Sequence, residues 1–320
     1  MSMMANDTIR RQEYLDTYAT ALQGIREVLY MPMASVESTV AIASMCLALS
    51  EDLVPTSEDG YHTHLRGVAA MVQNQSPDAF MDGVAHLMFV GVRPLIILDA
   101  ILRRKSTFLL EKKWQTIPFA LHPATHMQVL LGYAAAIPPL LERVDDKHGD
   151  SNIVRDGLRD VLGQLEEWQA GFEREGMLPQ PIGPHHLDLS TDPRILPDVC
   201  FDFVDVSHAN SLTHCWALRV LLLLQLIRLD VLGLGSQSTE QQAESLCVMI
   251  CRGLPYLLQK KMKFYGSMSA SFPLHMVSES LKVLPLNDRS LNNWSTAIKE
   301  QLHSQRITLY EDMSYNGFSI

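Results

Sequence analysis

Apolar residues recur at steps of three and four along almost the whole chain, and that period constrains the fold more than any other feature. Between Leu158 and Phe172 the apolar positions are Leu158, Val161, Leu162, Leu165, Trp168 and Phe172, which make one stripe of a 3.6-residue helix. The same spacing runs from Ala243 through Leu246, Cys247, Ile250, Leu254 and Leu257, with Ser238-Thr239-Glu240-Gln241 as a capping box at its start. Ser76-Pro77 reads as an N-cap and an N1 proline opening the helix that carries Phe80, Leu87 and Met88. The predicted helices are 8–30, 35–50, 61–75, 77–104, 124–143, 152–175, 203–233, 239–263, 272–284 and 289–305, with Pro94 expected to kink or split the fourth. Leu, Ala, Met, Gln and Glu recur while strand-favouring residues are sparse, so the expected fold is all-α: a single irregular array of roughly ten packed helices and no sheet.

Breakers collect at Pro55–Gly60, Pro118–Pro123 and Asp145–Asp150, and above all in 176–197, which holds Pro179, Pro181, Pro184, Pro193 and Pro197. That last segment lacks the polar low-complexity composition of a flexible linker. It reads as an ordered crossover within one domain spanning 1–320. No fixed-period repeat supports a regular solenoid.

Of 320 residues, 47% are hydrophobic and 19% charged, a balance that suits a large core and excludes general disorder. The formal net charge is −10 and the pI about 5.6, whereas affinity for DNA rests on a basic face. The basic runs Arg10-Arg11, Arg103-Arg104-Lys105, Lys112-Lys113 and Lys260-Lys261-x-Lys263 read as solvated helix ends. Direct nucleic-acid contact is not expected. Five cysteines (Cys46, Cys200, Cys215, Cys247, Cys251) form no disulfide framework, and this odd count fits reduced thiols in a reducing compartment. Cys247 and Cys251, four apart on an apolar helix, belong in the core. The N-terminus is polar and no signal segment is read there. The segments near Leu87–Leu102 and Leu212–Leu234 carry internal charges and read as core helices, so no membrane association is expected.

Chemistry-bearing motifs are thin. His122 and His126 are four apart, but a zinc-protease helix would need Glu where Pro123 stands. His185-His186-x-Asp188 sits in the proline-rich segment and is the better cluster, although adjacent histidines point apart in most loops. There is no G-x-S-x-G elbow, and Cys215 beside His214 is not the spatial pairing that activates a thiolate. Gly233-x-Gly235 follows a helix rather than a strand, so it reads as a helix terminator. Glu166-Glu167 and Asp145-Asp146 read as exposed helix-end charge, and the methionines as core filler. No catalytic, cofactor-binding or metal-binding residues are assigned, and no cofactor is expected.

Several segments resemble the fungal-specific transcription factor domain that lies C-terminal to the six-cysteine binuclear zinc cluster in filamentous-fungal regulators. They are His64-Leu65-Arg66-Gly67-Val68-Ala69-Ala70-Met71-Val72-Gln73 with Ser76-Pro77 and Phe80; Leu87-Met88-Phe89; Arg93-Pro94; Leu102-Arg103-Arg104-Lys105 with Phe108-Leu109; and Trp114 with Pro118-Phe119. Ala209–Leu229 with Trp216, Cys251 with Leu254-Pro255-Tyr256, Pro273-Leu274 and Trp294 continue the likeness, which runs from about Tyr14 to Ile307. Physically these residues read as structural: an apolar face of Leu65, Val68, Ala69 and Val72, a glycine at 67 for close helix approach, and core tryptophans. The family's N-terminal cysteine cluster has no counterpart, since no cysteine precedes Cys46.

Three readings follow. The resemblance implies a stand-alone, nuclear or nucleocytoplasmic regulator of a fungal secondary-metabolic gene cluster. It would act through protein partners such as a full-length zinc-cluster factor or a second copy, or through a small-molecule effector. Alternatively, the same helical scaffold serves as an enzyme or small-molecule binder, with His122, His126, His185, His186 and Asp188 as its polar groups and Arg93 as an anion partner. The third reading is a zinc-cluster factor whose start is truncated.

Overall fold

The computed structural model describes residues 2–29, 38–53, 55–146, 151–189, 193–230, 236–284 and 289–305. They are overwhelmingly helical and group into two compact units, 1–96 with 111–122 and 97–110 with 123–320. The first unit holds α1 (Ser2–Leu29), α2 (Ser38–Leu53), α3 (Gly60–Gln73), most of α4 (Gly83–Leu102) and the short α5 (Lys112–Thr116). The second takes the end of α4 and holds α6 (His126–Ala134), α7 (Ile137–Asp145), α8 (Ser151–Arg174), α9 (Val206–Leu229), α10 (Ser236–Leu257), α11 (Lys263–Val283) and α12 (Arg289–Gln305). The division falls at Ile96–Ile97; the proline-rich 176–197 lies wholly within the second unit.

In the first unit, α3 turns its Leu65, Val68 and Val72 face inward. Phe80, Phe89 and Trp114 stack nearby with ring centroids 5.4–5.9 Å apart, an arrangement that adds a little beyond their area burial. Gly67 has no atom within 4 Å of where a Cβ would stand, so close helix approach is not its role. The close approach in this unit is at Gly60, where a Cβ would stand 2.3 Å from the Glu51 carboxylate.

The second unit is organised around α9. Every residue from Ser211 to Gln225 is buried, against α8, α10 and α11. Asp205 caps its start by accepting a hydrogen bond from the His208 backbone N–H at 2.9 Å. The run Leu221–Leu224 is covered on every side, each leucine contributing roughly 1.5–3 kcal/mol relative to exposure. By length and composition α4 and α9 could each cross a membrane, but 78% of the α9 apolar window is buried inside the protein, the pattern of a core helix. Contacts pair Asn210 with Tyr265, His214 with Phe272, and Arg228 with Glu279, so α9 and α11 run in the same direction. α10 returns between them, with its Leu257 carbonyl against Gly266 and its Cys247 against Ser280.

Several boundaries differ from the sequence reading, each for a local reason. A two-stranded antiparallel sheet is present, pairing β1 (Gln180–Ile182) with β2 (Cys200–Asp202) in the register Ile182↔Cys200. Three-residue strands are too short to leave a period-two signal. The predicted helix 77–104 is two pieces: a 3₁₀ turn at Pro77–Phe80, then α4, restarted at Gly83, whose φ is +64° and whose N–H is accepted by the Asp82 carboxylate at 2.7 Å. α4 then continues through Pro94 without splitting. The predicted 124–143 breaks into α6 and α7 where Pro138 and Pro139 remove two ladder donors. α10 starts at Ser236, two residues before the capping box. α11 starts at Lys263, well before the predicted 272, because its early buried face is Gly266, Ser267, Ser269 and Ala270, which have no apolar stripe. Gly233 and Gly235 lie outside the described residues.

Candidate functional site

Each polar group singled out in the sequence has its own local partners. His122, at the end of the first unit, bonds Asp82 at 2.8 Å and stacks on His86, whose Nδ1 faces the Phe80 carbonyl at 3.0 Å. Arg93, on the same side of α4 as His86, is buried over the Phe119 ring, and burial lowers its pKa to about 10. His126 belongs to the second unit, stacked on Phe172 and 3.6 Å from Glu175. His185 and His186 stack on each other at the surface, and Asp188 pairs with Lys260 at 3.0 Å. Among the described residues no group of three His, Cys, Asp or Glu side chains has the geometry to hold a metal ion.

Two other networks tie helices together. In the first unit Glu51, 2% exposed, accepts from the Thr56 hydroxyl and from the Thr56 N–H at 2.8 Å. Burial alone would raise its pKa, but hydrogen bonds from Thr56, Tyr18 and Ser57 together hold it below the usual value. Tyr18 also bonds His64 at 2.6 Å, so this carboxylate links α1, α2 and α3. In the second unit Gln169 Oε1 accepts from Trp216 Nε1 at 3.1 Å and from Arg219 at 2.7 Å. Glu166 accepts from Arg219 at 3.0 Å and from Gln242 at 2.9 Å. Glu166, read from sequence as exposed helix-end charge, is thus a partner of a buried arginine.

The buried thiols are poor nucleophiles. Burial pushes Cys215 and Cys247 up to about 12, Cys200 to about 11, and Cys251 well above the usual range.

One arrangement with unmet bonding capacity lies at the C-terminal ends of α4, α7, α9 and α11, within the second unit. Arg104 turns left-handed just past α4, with φ 54°. Its guanidinium donates to Asp145 at 2.7 Å, to the Leu141 carbonyl at 3.3 Å and to Gln225 Oε1 at 3.3 Å. Gln225 is fully buried, and its Nε2 has no hydrogen-bond partner among the described residues. The amide cannot be turned over, because that would set its N–H groups against the Arg104 donors. Arg228, one turn on and at the surface, makes no ion pair among the described residues. Partial desolvation and then the like charge of Arg104 lower its pKa, against the pull of Glu279. Glu279, 3% exposed, is held by Lys282 at 2.5 Å. His275, one turn before Glu279, is buried with Nε2 unpartnered; burial lowers its pKa, Glu279 opposes, and Lys282 adds to the lowering.

Sequence reasoning missed this cluster, having assigned Arg103-Arg104-Lys105 to a solvated helix end. The signal was a glutamine and an arginine three apart at the end of the leucine run of α9, with a histidine and a glutamate four apart on α11. Orphaned buried donors are uncommon in native proteins and mark where a water, an ion or a ligand group completes the bonding. The cluster can therefore accept a small polar group between its arginines.

No family model matches the chain, and no solved structure matches it. The chain is similar to an uncharacterized protein of Emericella nidulans, with 25% identity over 100 residues. That match covers 31% of this chain and spans 21% of the relative's length.

Proposed function

We propose that this chain is a helical regulatory protein of the kind that stands behind the zinc cluster in fungal transcription regulators, responding to a small-molecule effector and acting through protein partners. The observation that supports this reading is the Arg104–Gln225–Arg228 cluster. It has unfilled polar capacity at one end of a tightly packed helical core. The segments that carry the family resemblance serve packing: Leu65, Val68, Val72, Phe80, Phe89, Trp114 and Trp216 are all buried. Under this reading the partner is a full-length zinc-cluster factor or a second copy, and the chain works in the nucleus on genes of secondary metabolism.

The same cluster also favours a second reading, in which the scaffold binds and processes a small molecule. Deleting the gene and measuring neighbouring transcripts and small-molecule products in the same cultures separates the two. Coordinate change of the transcripts is the expected result. Steady transcripts with one accumulating intermediate would overturn regulation in favour of chemistry.

A further inference from the structure

The geometry points to an oxyanion-binding site between Arg104 and Arg228, in which a carboxylate or phosphate group of a small ligand takes the buried Gln225 amide N–H as its third donor. The inference rests on the regulatory reading only for its purpose, since it gives the effector a chemical class.

Among the described residues Asp145 pairs with Arg104 and Glu279 with Lys282, which leaves Arg228 without an ion-pair partner in a chain whose net charge is −10. Arg228 lies near enough to Arg104 for that like charge to disfavour its own, a cost that an anion between the two guanidinium groups would remove. The existing carboxylates do not fill that place. Asp145 engages the Nε edge of Arg104, and Glu279 is occupied by Lys282.

Gln225 Nε2 is bonded to the same carbon as the oxygen that accepts from Arg104, so the orphan donor sits beside the Arg104 guanidinium, one helical turn from Arg228. A buried amide N–H left without a partner is destabilising, and an oxyanion supplies the acceptor. His275 Nε2 is a second orphan on the facing helix. Arg228 and Lys282 are exposed whereas Gln225, His275 and Glu279 are buried, so the cluster runs from the surface to the interior.

The test is thermal unfolding of the full chain with inorganic phosphate, with succinate and with sodium chloride at matched ionic strength. We expect phosphate or succinate to raise Tm by about 2 °C at ten times its Kd, with chloride giving no such rise. Whichever probe acts identifies the group recognised. Arg228→Gln should abolish the rise, while Arg66→Gln, an exposed arginine of the first unit, should keep it. Gln225→Glu supplies a carboxylate from the protein itself, so that variant should fold without added anion and no longer respond to one. A rise of equal size in chloride, in Arg228→Gln or in Gln225→Glu would overturn the site, as would no rise in the wild type. Loss of binding with transcripts still changing on deletion would overturn the site alone. Binding without any transcript change would support the site and overturn the regulatory reading.

Discussion

At Gly266 a Cβ would stand 1.9 Å from the Leu257 carbonyl oxygen, a backbone atom that no rotamer change can move aside. Gly266→Ala should therefore force α10 and α11 apart and cost about 3 kcal/mol or more, read as a lower urea midpoint. Gly67→Ala works the other way. That glycine is exposed inside α3 with open space around it, so alanine should stabilise by roughly 0.5–1 kcal/mol through helix propensity. Equal destabilisation by the two substitutions would show that the packing of α11 on α10 is not as described. The pair separates two reasons for glycine that look the same in a sequence.

At the level of elements, the thiols report how tightly helices are held. Cys215 on α9 and Cys247 and Cys251 on α10 are buried with raised pKa values, whereas Cys46 on α2 is exposed. A thiol near 12 carries about a thousandfold less thiolate at neutral pH than one near 9. In native protein, a thiol reagent followed by mass spectrometry should modify Cys46 first, and the other four only as fast as the chain opens. Rapid native labelling of Cys247 would contradict the α10–α11 packing. Helices with long apolar stripes could be read from sequence. For α8 the expected 152–175 meets Ser151–Arg174, and for α12 the expected and observed bounds coincide at 289–305. The first half of α11 could not, since its buried face is glycine, serine and alanine. Nor could the division within 124–143, where two prolines start a new helix rather than end a chain segment. The candidate site was illegible for a related reason. Its members come from four helix ends brought together only by packing, and Gln225 looks like one polar interruption in a leucine run.

For the molecule as a whole, stability should fall as the solution is acidified from pH 7. Burial lowers the pKa of His214 to about 4 from its ordinary 6.5, partly opposed by its bond to the Asn210 carbonyl. Burial also lowers His64 and His275. For each, the folded pKa is below the unfolded one, so the unfolded chain takes up protons first. This contribution is complete above about pH 6.5 and is lost as pH falls toward the folded values. His214 alone accounts for about 3 kcal/mol between pH 6.5 and 4. Glu51, with a lowered carboxyl pKa, adds a loss that begins below its ordinary 4.5. Urea midpoints measured from pH 7 to pH 4 should decline, and less steeply in His214→Phe; a flat profile would show that these imidazoles are solvated.

The burial of α9 on all sides also sets an order of events during synthesis. The ribosome releases α6, α7 and α8 before α9 exists, so the Leu158, Leu165, Trp168 and Phe172 stripe emerges without its main partner. Until Val206–Leu229 has left the exit tunnel, these helices are nascent chains with a bare apolar flank, the condition that recruits chaperones. Any fragment that stops short of residue 206 inherits that condition permanently.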